Sequence, residues 1–335
     1  MQTKRIVFTD IGKAALADKE LSAPADGQVL VETAYSAISA GTERGMLMDL
    51  PNTTYQGHYP KVVGYSGAGV VRAVGRNVTT VVPGDRVLYI WGDHARNNVL
   101  EEKNVMKIPN EQLHLKHAAF AFIANFASAG IRKTRLELGE SAVVFGMGIL
   151  GTFAVMLCRA AGAFPVIAAD IDEKRRSLAL SIGADYAFDP SHPDFKTQVK
   201  SVTGGKGPRV AIEISGQSVA LKQALECLAP FGRVSLVGCT RVSDTPIDFY
   251  QLVHRRGITI VGAHTSARPV QESYPGYWTE RDECMAVMNL MANGRIDVSK
   301  ILSAVYSPRD AEAVYAALAE NKNFPVGALF DWGRL

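Results

Sequence analysis

Three glycines spaced as G-x-G-x-x-G stand between an apolar, strand-like run and a helix-like run. They follow SAVVF and open ILGTFAVMLCRAA. In such a loop the first glycine permits a tight turn, the second lets the backbone approach a pyrophosphate, and the third allows close helix packing. The helix N-terminus presents unpaired N–H groups to the phosphates. This context predicts a dinucleotide site formed by Gly146, Met147, Gly148, Ile149, Leu150 and Gly151.

An acidic residue closes the next predicted strand at the spacing expected for ribose recognition. Asp170 ends VIAAD, 19 residues after Gly151, where about 20 is usual. Its carboxylate would accept hydrogen bonds from both ribose hydroxyls and repel a 2′-phosphate. We therefore expect NAD rather than NADP, with Ile171 also in the cofactor site. Arg175 and Arg176 follow in the next helix, where a solvated helix face explains them at least as well as phosphate binding.

Three later strand ends are expected along the same edge of the sheet. Ligands of open parallel sheets bind at the carboxyl ends of the strands. Small residues at these ends also suit plain loops, but their position favours contact with the cofactor. The residues concerned are Ser215, Gly216, Gly238, Cys239, Gly262, Ala263 and His264.

The wider sequence predicts two kinds of element. Residues 1 to about 120 hold short Val- and Ile-rich runs separated by Gly and Pro, which favours a β-rich unit with few long helices. From about residue 117 to about residue 268, strand-like runs alternate with helix-like runs, which predicts a doubly wound parallel sheet. We expect the remaining tail to fold back on the N-terminal unit. The fold class is α/β.

Composition and charge narrow the class of protein. The chain has 335 residues, of which 47% are hydrophobic, which is enough for two domains of ordinary size. Its 36 Lys and Arg residues are interspersed with 33 Asp and Glu residues, without the basic blocks typical of nucleic-acid or membrane-surface binders. The first residues lack the apolar core of a signal peptide. We expect a cytoplasmic protein with a small-molecule substrate and neither nucleic-acid nor membrane partners.

Four short motifs occur along the chain. They are Ala40-Gly41-Thr42-Glu43, residues 64–75, Gly84-Asp85-Arg86-Val87, and the glycine loop with Asp170. In order and spacing they resemble the medium-chain dehydrogenase/reductase superfamily, which contains zinc alcohol dehydrogenases and quinone reductases. The resemblance implies a GroES-like catalytic domain at residues 1–122 and 268–335 and a Rossmann NAD-binding domain at residues 123–267. It also implies a homodimer, because the family's last Rossmann strand, here within GITIVG, commonly extends a sheet across a two-fold axis.

The positions at which zinc-dependent members carry metal ligands hold other residues. Ala40 stands where a cysteine ligand would be, Gly64-Tyr65-Ser66 replaces Gly-His-Glu, and Ala124-Asn125-Phe126 offers neither cysteine nor aspartate. The stretch from Leu88 to Pro109, where a four-cysteine lobe would lie, contains no cysteine. Because zinc needs three or four ligands at fixed geometry, we predict no metal.

Without zinc, protein donors must polarise the substrate oxygen. The resemblance places Thr42 at the hydroxyl that contacts substrate oxygen and nicotinamide ribose. It places Tyr65 at a lost zinc ligand, as a proton donor, and His94 in a loop that lines the substrate pocket, where an imidazole suits acid/base work. Each has a structural alternative: Thr42 would bond only backbone, Tyr65 would be a wall, and His94 would lie at the surface.

Further pocket walls are expected at Glu43, Trp91, Asn125, Tyr277 and Trp278. We expect Glu43 to form an ion pair with Arg44 rather than to act directly. The other histidines receive no role, namely His58, His114, His117, His192 and His254.

Three functions remain open. We favour an NAD-dependent, zinc-independent oxidoreductase that moves hydride between nicotinamide and a secondary alcohol or ketone. The alternatives are a quinone- or enoyl-type C=C reductase and a non-catalytic dinucleotide-binding protein. SAISAGTERG, at residues 36–45, is also similar to a zinc-lacking subgroup that includes the bacteriochlorophyllide hydroxyethyl dehydrogenase, an enzyme type that oxidises a secondary alcohol on a large ring with NAD.

Overall fold

A computed structural model describes residues 1–320 and 324–335. They divide into two compact units. The β-rich unit comprises residues 1–123, 284–294 and 298–335, and the parallel-sheet unit comprises residues 124–283 and 295–297. The second boundary therefore differs from the expected one, because residues 268–283 group with the parallel-sheet unit. Within the described ranges, no helix has the length and apolarity needed to cross a membrane.

Strands dominate the β-rich unit, as its Gly- and Pro-punctuated sequence predicts. They are β1 (Gln2–Asp10), β2 (Lys13–Glu20), β3 (Gln28–Ala37), β4 (Lys61–Val62), β5 (Ser66–Val74), β6 (Arg86–Ile90), β7 (Asn97–Glu101) and β8 (Val105–Lys107), with β15 (Leu302–Tyr306) and β16 (Gly327–Asp331) from the C-terminal segment. One sheet has the order β2-β1-β4. The other has the order β15-β16-β3-β5-β6-β8, and β7 also pairs with β3.

The C-terminal strand completes the core of the β-rich unit. β16 lies antiparallel to β3, with Leu329 opposite Ala37. Phe330 and Trp332 are fully buried in one cluster with Phe8 and Ile38. The helices assigned wholly or mainly to this unit are short or C-terminal: α1 (Ala40–Leu47), α2 (Leu115–Ala118), α8 (Glu280–Ala292) and α9 (Ala311–Glu320).

Strands and helices alternate in the parallel-sheet unit. Its strands are β9 (Ala142–Phe145), β10 (Val166–Ala169), β11 (Tyr186–Phe188), β12 (Val210–Glu213), β13 (Arg233–Leu236) and β14 (Thr259–Gly262). Its helices are α3 (Ala121–Lys133), α4 (Ile149–Ala160), α5 (Glu173–Ser181), α6 (Phe195–Ser201) and α7 (Ser218–Cys227). Every residue of β9, β10 and β12 is buried, as expected for parallel strands covered on both faces.

The order of the parallel sheet fixes where a ligand binds. The strands run β11-β10-β9-β12-β13-β14, and all neighbours are parallel. Counted from β9 as the first strand, this is the order 3-2-1-4-5-6 of doubly wound dinucleotide-binding sheets. From β9, the chain first adds strands on one side (β10 and β11) and then on the other side (β12 to β14). The carboxyl ends of β9, β10 and β12 therefore surround the binding crevice.

Candidate active site

The three glycines of the loop after β9 have three different environments. Gly146 has φ +94°, and a Cβ on it would lie 2.9 Å from the Cβ of Ser215. A Cβ on Gly151 would lie 1.7 Å from the carbonyl oxygen of Gly146, so α4 packs directly on the turn. A Cβ on Gly148 would meet no protein atom within 4 Å. The space in front of Gly148 is therefore open.

The side chains within the loop point into the protein. Met147 is fully buried and Ile149 nearly so, while Leu150 is half-buried. Gly148 is the N-cap of α4 and offers no side-chain cap. The backbone N–H groups of the first turn thus remain available for an anion.

Asp170 lies directly after β10 and connects two parts of the crevice. Its Oδ2 accepts a hydrogen bond from Met147 N at 2.6 Å, and its Oδ1 accepts one from Asp172 N at 2.9 Å. Each carboxylate oxygen has a second lone-pair site, so it can still accept a hydrogen bond from a ribose hydroxyl. Ile171, next to it, is 73% exposed, which suits a surface that a cofactor covers.

A second buried carboxylate shapes the turn after β12. Glu213 Oε1 accepts hydrogen bonds from Ser215 N at 2.9 Å, Ser215 Oγ at 2.5 Å and Gly216 N at 3.0 Å. Burial raises the pKa of Glu213, and these hydrogen bonds oppose that rise. The sequence interpretation named Ser215 and Gly216 but missed Glu213.

The glycines at the ends of β12 and β13 are held by backbone packing. A Cβ on Gly216 would lie 2.6 Å from Cys239 O, and one on Gly238 would lie 2.3 Å from Gly216 N. Cys239 is an exposed free thiol. At the end of β14, Gly262 and His264 are exposed and Ala263 is buried.

In the β-rich unit, Glu43 fixes the start of the helix that carries Thr42. Glu43 Oε1 accepts a hydrogen bond from Ser39 N at 2.8 Å, while Glu43 N donates to Ser39 O at 2.9 Å. The first is a side-chain bond to the N–H of the N-cap residue, and the second is the first i to i−4 bond of α1. The Thr42 side chain lies half-buried in the same turn. Glu43 does not pair with Arg44, contrary to the expectation, because Arg44 Nε donates to Ala319 O.

His94 lies in a buried polar network that also contains Glu43. Its Nε2 is 3.2 Å from Glu43 Oε1 and its Nδ1 is 2.7 Å from Ser36 Oγ. Tyr315 Oη donates to Glu43 Oε2 at 2.7 Å, and Trp332 Nε1 donates to Ser36 Oγ at 2.9 Å. Burial and the Glu43 charge raise the pKa of Tyr315 well above its usual value.

This network corrects the expected placement of His94 in a pocket wall or at the surface. The imidazole is fully buried and both ring nitrogens have partners. Because a carboxylate oxygen only accepts, Nε2 is the donor in the bond to Glu43. His94 and Glu43 therefore do not line an open surface, and they hold α1 and Thr42 in place.

Tyr65 and Trp91 meet in an aromatic cluster with Phe122. The Tyr65 ring centroid is 6.0 Å from that of Trp91 and 5.7 Å from that of Phe122. Trp91 N donates to Tyr65 O at 2.8 Å, and the Trp91 residue is 48% exposed. Tyr65, expected as a proton donor, and Trp91, expected as a pocket wall, thus lie in one cluster, to which the structure adds Phe122.

The other three expected pocket residues belong to the parallel-sheet unit. Asn125 is fully buried and its Oδ1 accepts from Arg268 Nη1 at 2.8 Å. Tyr277 stacks on Tyr274 at 5.3 Å. Trp278 lies under the Arg132 guanidinium at 3.4 Å. Tyr277 and Trp278 are thus engaged in local ring contacts.

Comparison with known proteins matches each unit to a family. A GroES-like alcohol dehydrogenase domain matches residues 25–110, and a zinc-binding dehydrogenase domain matches residues 150–282. L-threonine 3-dehydrogenase of Pyrococcus furiosus is 33% identical over 172 residues, which cover 51% of this chain and 46% of that protein. D-guloside 3-dehydrogenase of Escherichia coli is 28% identical over 239 residues, covering 71% of this chain and 67% of that protein. The match with the threonine dehydrogenase thus spans about half of its length.

The chain belongs to the medium-chain dehydrogenase/reductase superfamily. Its fold matches an Escherichia coli oxidoreductase of unknown specificity with a TM-score of 0.86 at 19% identity, over 99% of both chains. It also matches a zinc-binding dehydrogenase from Sinorhizobium meliloti bound to NADP, with a TM-score of 0.82 at 21% identity, over 99% of both chains. A third match is a dehydrogenase from Escherichia coli CFT073 complexed with NADH, with a TM-score of 0.82 at 19% identity and the same coverage.

The turn that contains Tyr65 is one of the places where the sequence resemblance leads us to expect a zinc ligand in zinc-dependent members. Gly64 has φ +101°, and a Cβ there would lie 2.3 Å from His94 N, so the turn before Tyr65 requires glycine. Ser66 Oγ donates to Ala119 O at 2.6 Å. In residues 1–320 and 324–335, no group of three His, Cys, Asp or Glu side chains has an arrangement that would hold a metal.

Several functional candidates emerge only from the structure. Ser36, Tyr315 and Trp332 complete the network around Glu43 and His94. The bonds of Tyr315 to Glu43 and of Trp332 to Ser36 span 272 and 296 residues. No local spacing signals such contacts. Glu213 did carry a signal, because an acid at the end of an otherwise apolar strand needs buried partners.

Proposed function

We propose that this protein is an NAD-dependent, zinc-independent oxidoreductase that transfers hydride between nicotinamide and a secondary alcohol or ketone. The observation that carries the proposal is the Asp170 carboxylate beside the open glycine loop, bonded to Met147 N. It supports a dinucleotide with free ribose hydroxyls. The related threonine and guloside dehydrogenases act, by their names, on alcohols, which supports the CH–OH substrate class.

The surroundings of Asp170 favour NAD over NADP. A 2′-phosphate would be repelled by the carboxylate. Arg176, the nearest candidate to bind such a phosphate, donates to Asp170 O at 2.8 Å and lies 3.3 Å from Asp189 Oδ2. Its guanidinium is thus already engaged with an acceptor and a carboxylate.

The donor set argues for chemistry without zinc. Alanine and tyrosine at residues 40 and 65 cannot supply the thiolate and imidazole that zinc prefers. The Thr42 hydroxyl and the Tyr65 phenol are the groups we assign to the substrate oxygen. Thr42 would hold that oxygen. Tyr65 would donate a proton to it as the ketone is reduced, and in the oxidation its phenolate would take the hydroxyl proton.

NAD would supply the hydride acceptor at the nicotinamide C4. In the oxidation, the C–H bond of the alcohol carbon breaks with its electron pair going to nicotinamide, the O–H proton leaves, and a C=O bond forms. His94 and Glu43 contribute indirectly, because they fix the turn that carries Thr42. Stabilising the oxygen charge that develops in this step is where fixed donors have most effect.

The test is NADH formation by chelator-treated protein with a panel of secondary alcohols, followed by NADH and NADPH oxidation with ketones and enones. We expect alcohol-dependent reduction of NAD that survives chelation. Thr42→Val and Tyr65→Phe should each lower kcat by about 10²-fold or more, while Tyr274→Phe, at an exposed tyrosine, should not. Turnover of enones alone with NADPH would identify a C=C reductase, and tight cofactor binding without any turnover would identify a non-catalytic binder.

A further inference from the structure

One buried nitrogen of the Arg268 guanidinium, Nε, has no hydrogen-bond partner among the described residues. The side chain is 8% exposed and follows β14 in the chain. Its Nη1 donates to Asn125 Oδ1 at 2.8 Å and lies 3.4 Å from Glu280 Oε1. An orphaned buried donor costs free energy that a ligand acceptor would recover.

The position of the Arg268 guanidinium along the strand direction follows from the packing of α3 against the sheet. A Cβ on Gly130 of α3 would contact Val237 and Ala263, which directly follow β13 and β14. Gly130 is therefore level with the carboxyl ends of these strands. Asn125 lies five residues nearer the start of the helix, which is about 7.5 Å at 1.5 Å per residue.

The direction of α3 places Asn125 beyond the sheet. α3 leads to the start of β9, so it runs opposite to the strands and its first turns extend past their carboxyl ends. Arg268, bonded to Asn125, therefore stands beyond the edge at which ligands of such sheets bind.

The lateral position separates Arg268 from the cofactor phosphates. β14 is the third strand from β9 on the side of β12, about 14 Å away at the usual strand spacing. Asp170 lies on the other side, after β10. A dinucleotide whose pyrophosphate lies at the glycine loop and whose ribose binds Asp170 extends its nicotinamide toward β12 and β13. Arg268 thus lies on the side of the reacting groups.

The local charge favours an anion. Burial lowers the pKa of Lys133, and the positive charge of Arg268 lowers it further. Lys133 Nζ is fixed by Ala267 O at 2.5 Å, one residue before Arg268. Glu280 Oε1 lies 3.4 Å from Arg268 Nη1, whereas Nε has no hydrogen-bond partner in the described part of the chain.

We propose that Arg268 binds a carboxylate of the substrate, so that the substrates are secondary alcohols or ketones that carry a carboxylate group. A carboxylate accepts two parallel N–H bonds from one edge of a guanidinium. The inference rests on the proposed dehydrogenase function for the identity of the reacting group. Binding of the carboxylate itself does not depend on turnover.

The experiment compares carboxylates with their matched amides. NADH-bound protein is titrated with a panel of hydroxy- and keto-carboxylates and the corresponding amides, by calorimetry, and the alcohols are then tested with NAD. We expect at least one carboxylate to bind and its amide to bind at least 10-fold more weakly. Arg268→Gln should weaken that carboxylate roughly 10-fold or more and raise KM more than it lowers kcat, with NADH affinity unchanged.

Two further variants protect the test against a folding defect. Arg281→Gln removes an exposed arginine from the start of α8 and should bind carboxylates as the unaltered protein does. Glu280→Gln removes the competing carboxylate and should strengthen binding. Equal binding of acids and amides, no binding of either, or unchanged carboxylate binding by Arg268→Gln would overturn the inference. Arg268-dependent carboxylate binding without turnover of any alcohol would instead overturn the proposed function alone.

Discussion

At the scale of single residues, the glycines of the loop after β9 are required for two different reasons: packing within the protein and space for a ligand. Gly151 is required by the protein itself, because α4 packs on the carbonyl oxygen of Gly146. Gly148 faces open space, so its constraint comes from the ligand. Alanine at the two positions therefore has different consequences.

We expect Gly148→Ala to keep the free energy of unfolding within about 0.5 kcal/mol and to weaken NADH binding by about 10-fold or more, since its methyl group would occupy the space of a phosphate. Gly151→Ala should destabilise the protein by about 2 kcal/mol or more, because the backbone must move. Urea denaturation and fluorescence titration with NADH measure the two quantities. Equal destabilisation by both substitutions would contradict this division.

His94 is expected to act through position rather than proton exchange. His94→Asn should lower the free energy of unfolding by about 1–3 kcal/mol, since buried Ser36 and Glu43 lose a partner, and should lower kcat without removing a limb of the pH profile. His58→Asn, at an exposed histidine, is the control. A stable variant that has lost one limb of the pH profile would instead indicate direct acid/base catalysis.

The residues that the sequence identifies well are those with local patterns. The glycines and Asp170 have a fixed spacing because helix α4 and strand β10 lie between them. The partners of Glu43 and His94 have no such spacing, since Tyr315 is 272 residues from Glu43 and Trp332 is 296 from Ser36. The pairing of β16 with β3 brings Trp332 to Ser36, and helix α9 brings Tyr315 to Glu43.

At the scale of elements, an ion pair joins the loop before β9 to the start of β13. Arg233 Nη1 and Nη2 donate to the two carboxylate oxygens of Glu140 at 2.9 and 2.5 Å, a bidentate geometry. Arg233 also donates to Thr134 O and Arg135 O. The hydrogen bond from Arg233 is the largest cause that lowers the pKa of Glu140.

This pair predicts a defined pH dependence of stability. A carboxyl whose pKa is lower in the folded protein contributes stability above its unfolded pKa, and loses it as the pH falls through the folded value. Glu140→Gln should therefore cost about 1–3 kcal/mol at neutral pH, and its deficit should shrink as the pH falls below about 4.5. Denaturation at several pH values checks this, with Glu137→Gln as an exposed control. A deficit that is independent of pH would show that packing, not charge, is responsible.

The parallel sheet was more predictable than the helices of the β-rich unit. The strands of the sheet have apolar runs, and four of its five connections contain an α-helix (α4, α5, α6 and α7), so the alternation is visible in the sequence. α1 carries Gly41 and Gly45, which disfavour helix, and it depends on the Ser39 and Glu43 bonds. Its stability is thus tertiary and does not appear as a local pattern.

At the scale of the whole molecule, β14 ends the six-strand order, and no described strand pairs beyond it. An unpaired edge strand favours association with a second copy. We expect a dimer by light scattering after size-exclusion chromatography. Val261→Asp on β14 should shift the protein toward monomer, whereas Val242→Asp, at an exposed loop valine, should not. A monomeric unaltered protein, or a dimer insensitive to Val261→Asp, would contradict the expectation.

The hydrogen bond between Ser36 and Trp332 also affects which unit can fold first during protein synthesis. The parallel-sheet unit consists almost entirely of residues 124–283, so it can fold while later codons are still being translated. The β-rich unit begins first but must wait, because its core and its polar network need residues near 330. Until the ribosome has released that segment, β3 lacks its neighbour β16, and the nascent chain exposes an apolar edge that chaperones would recognise.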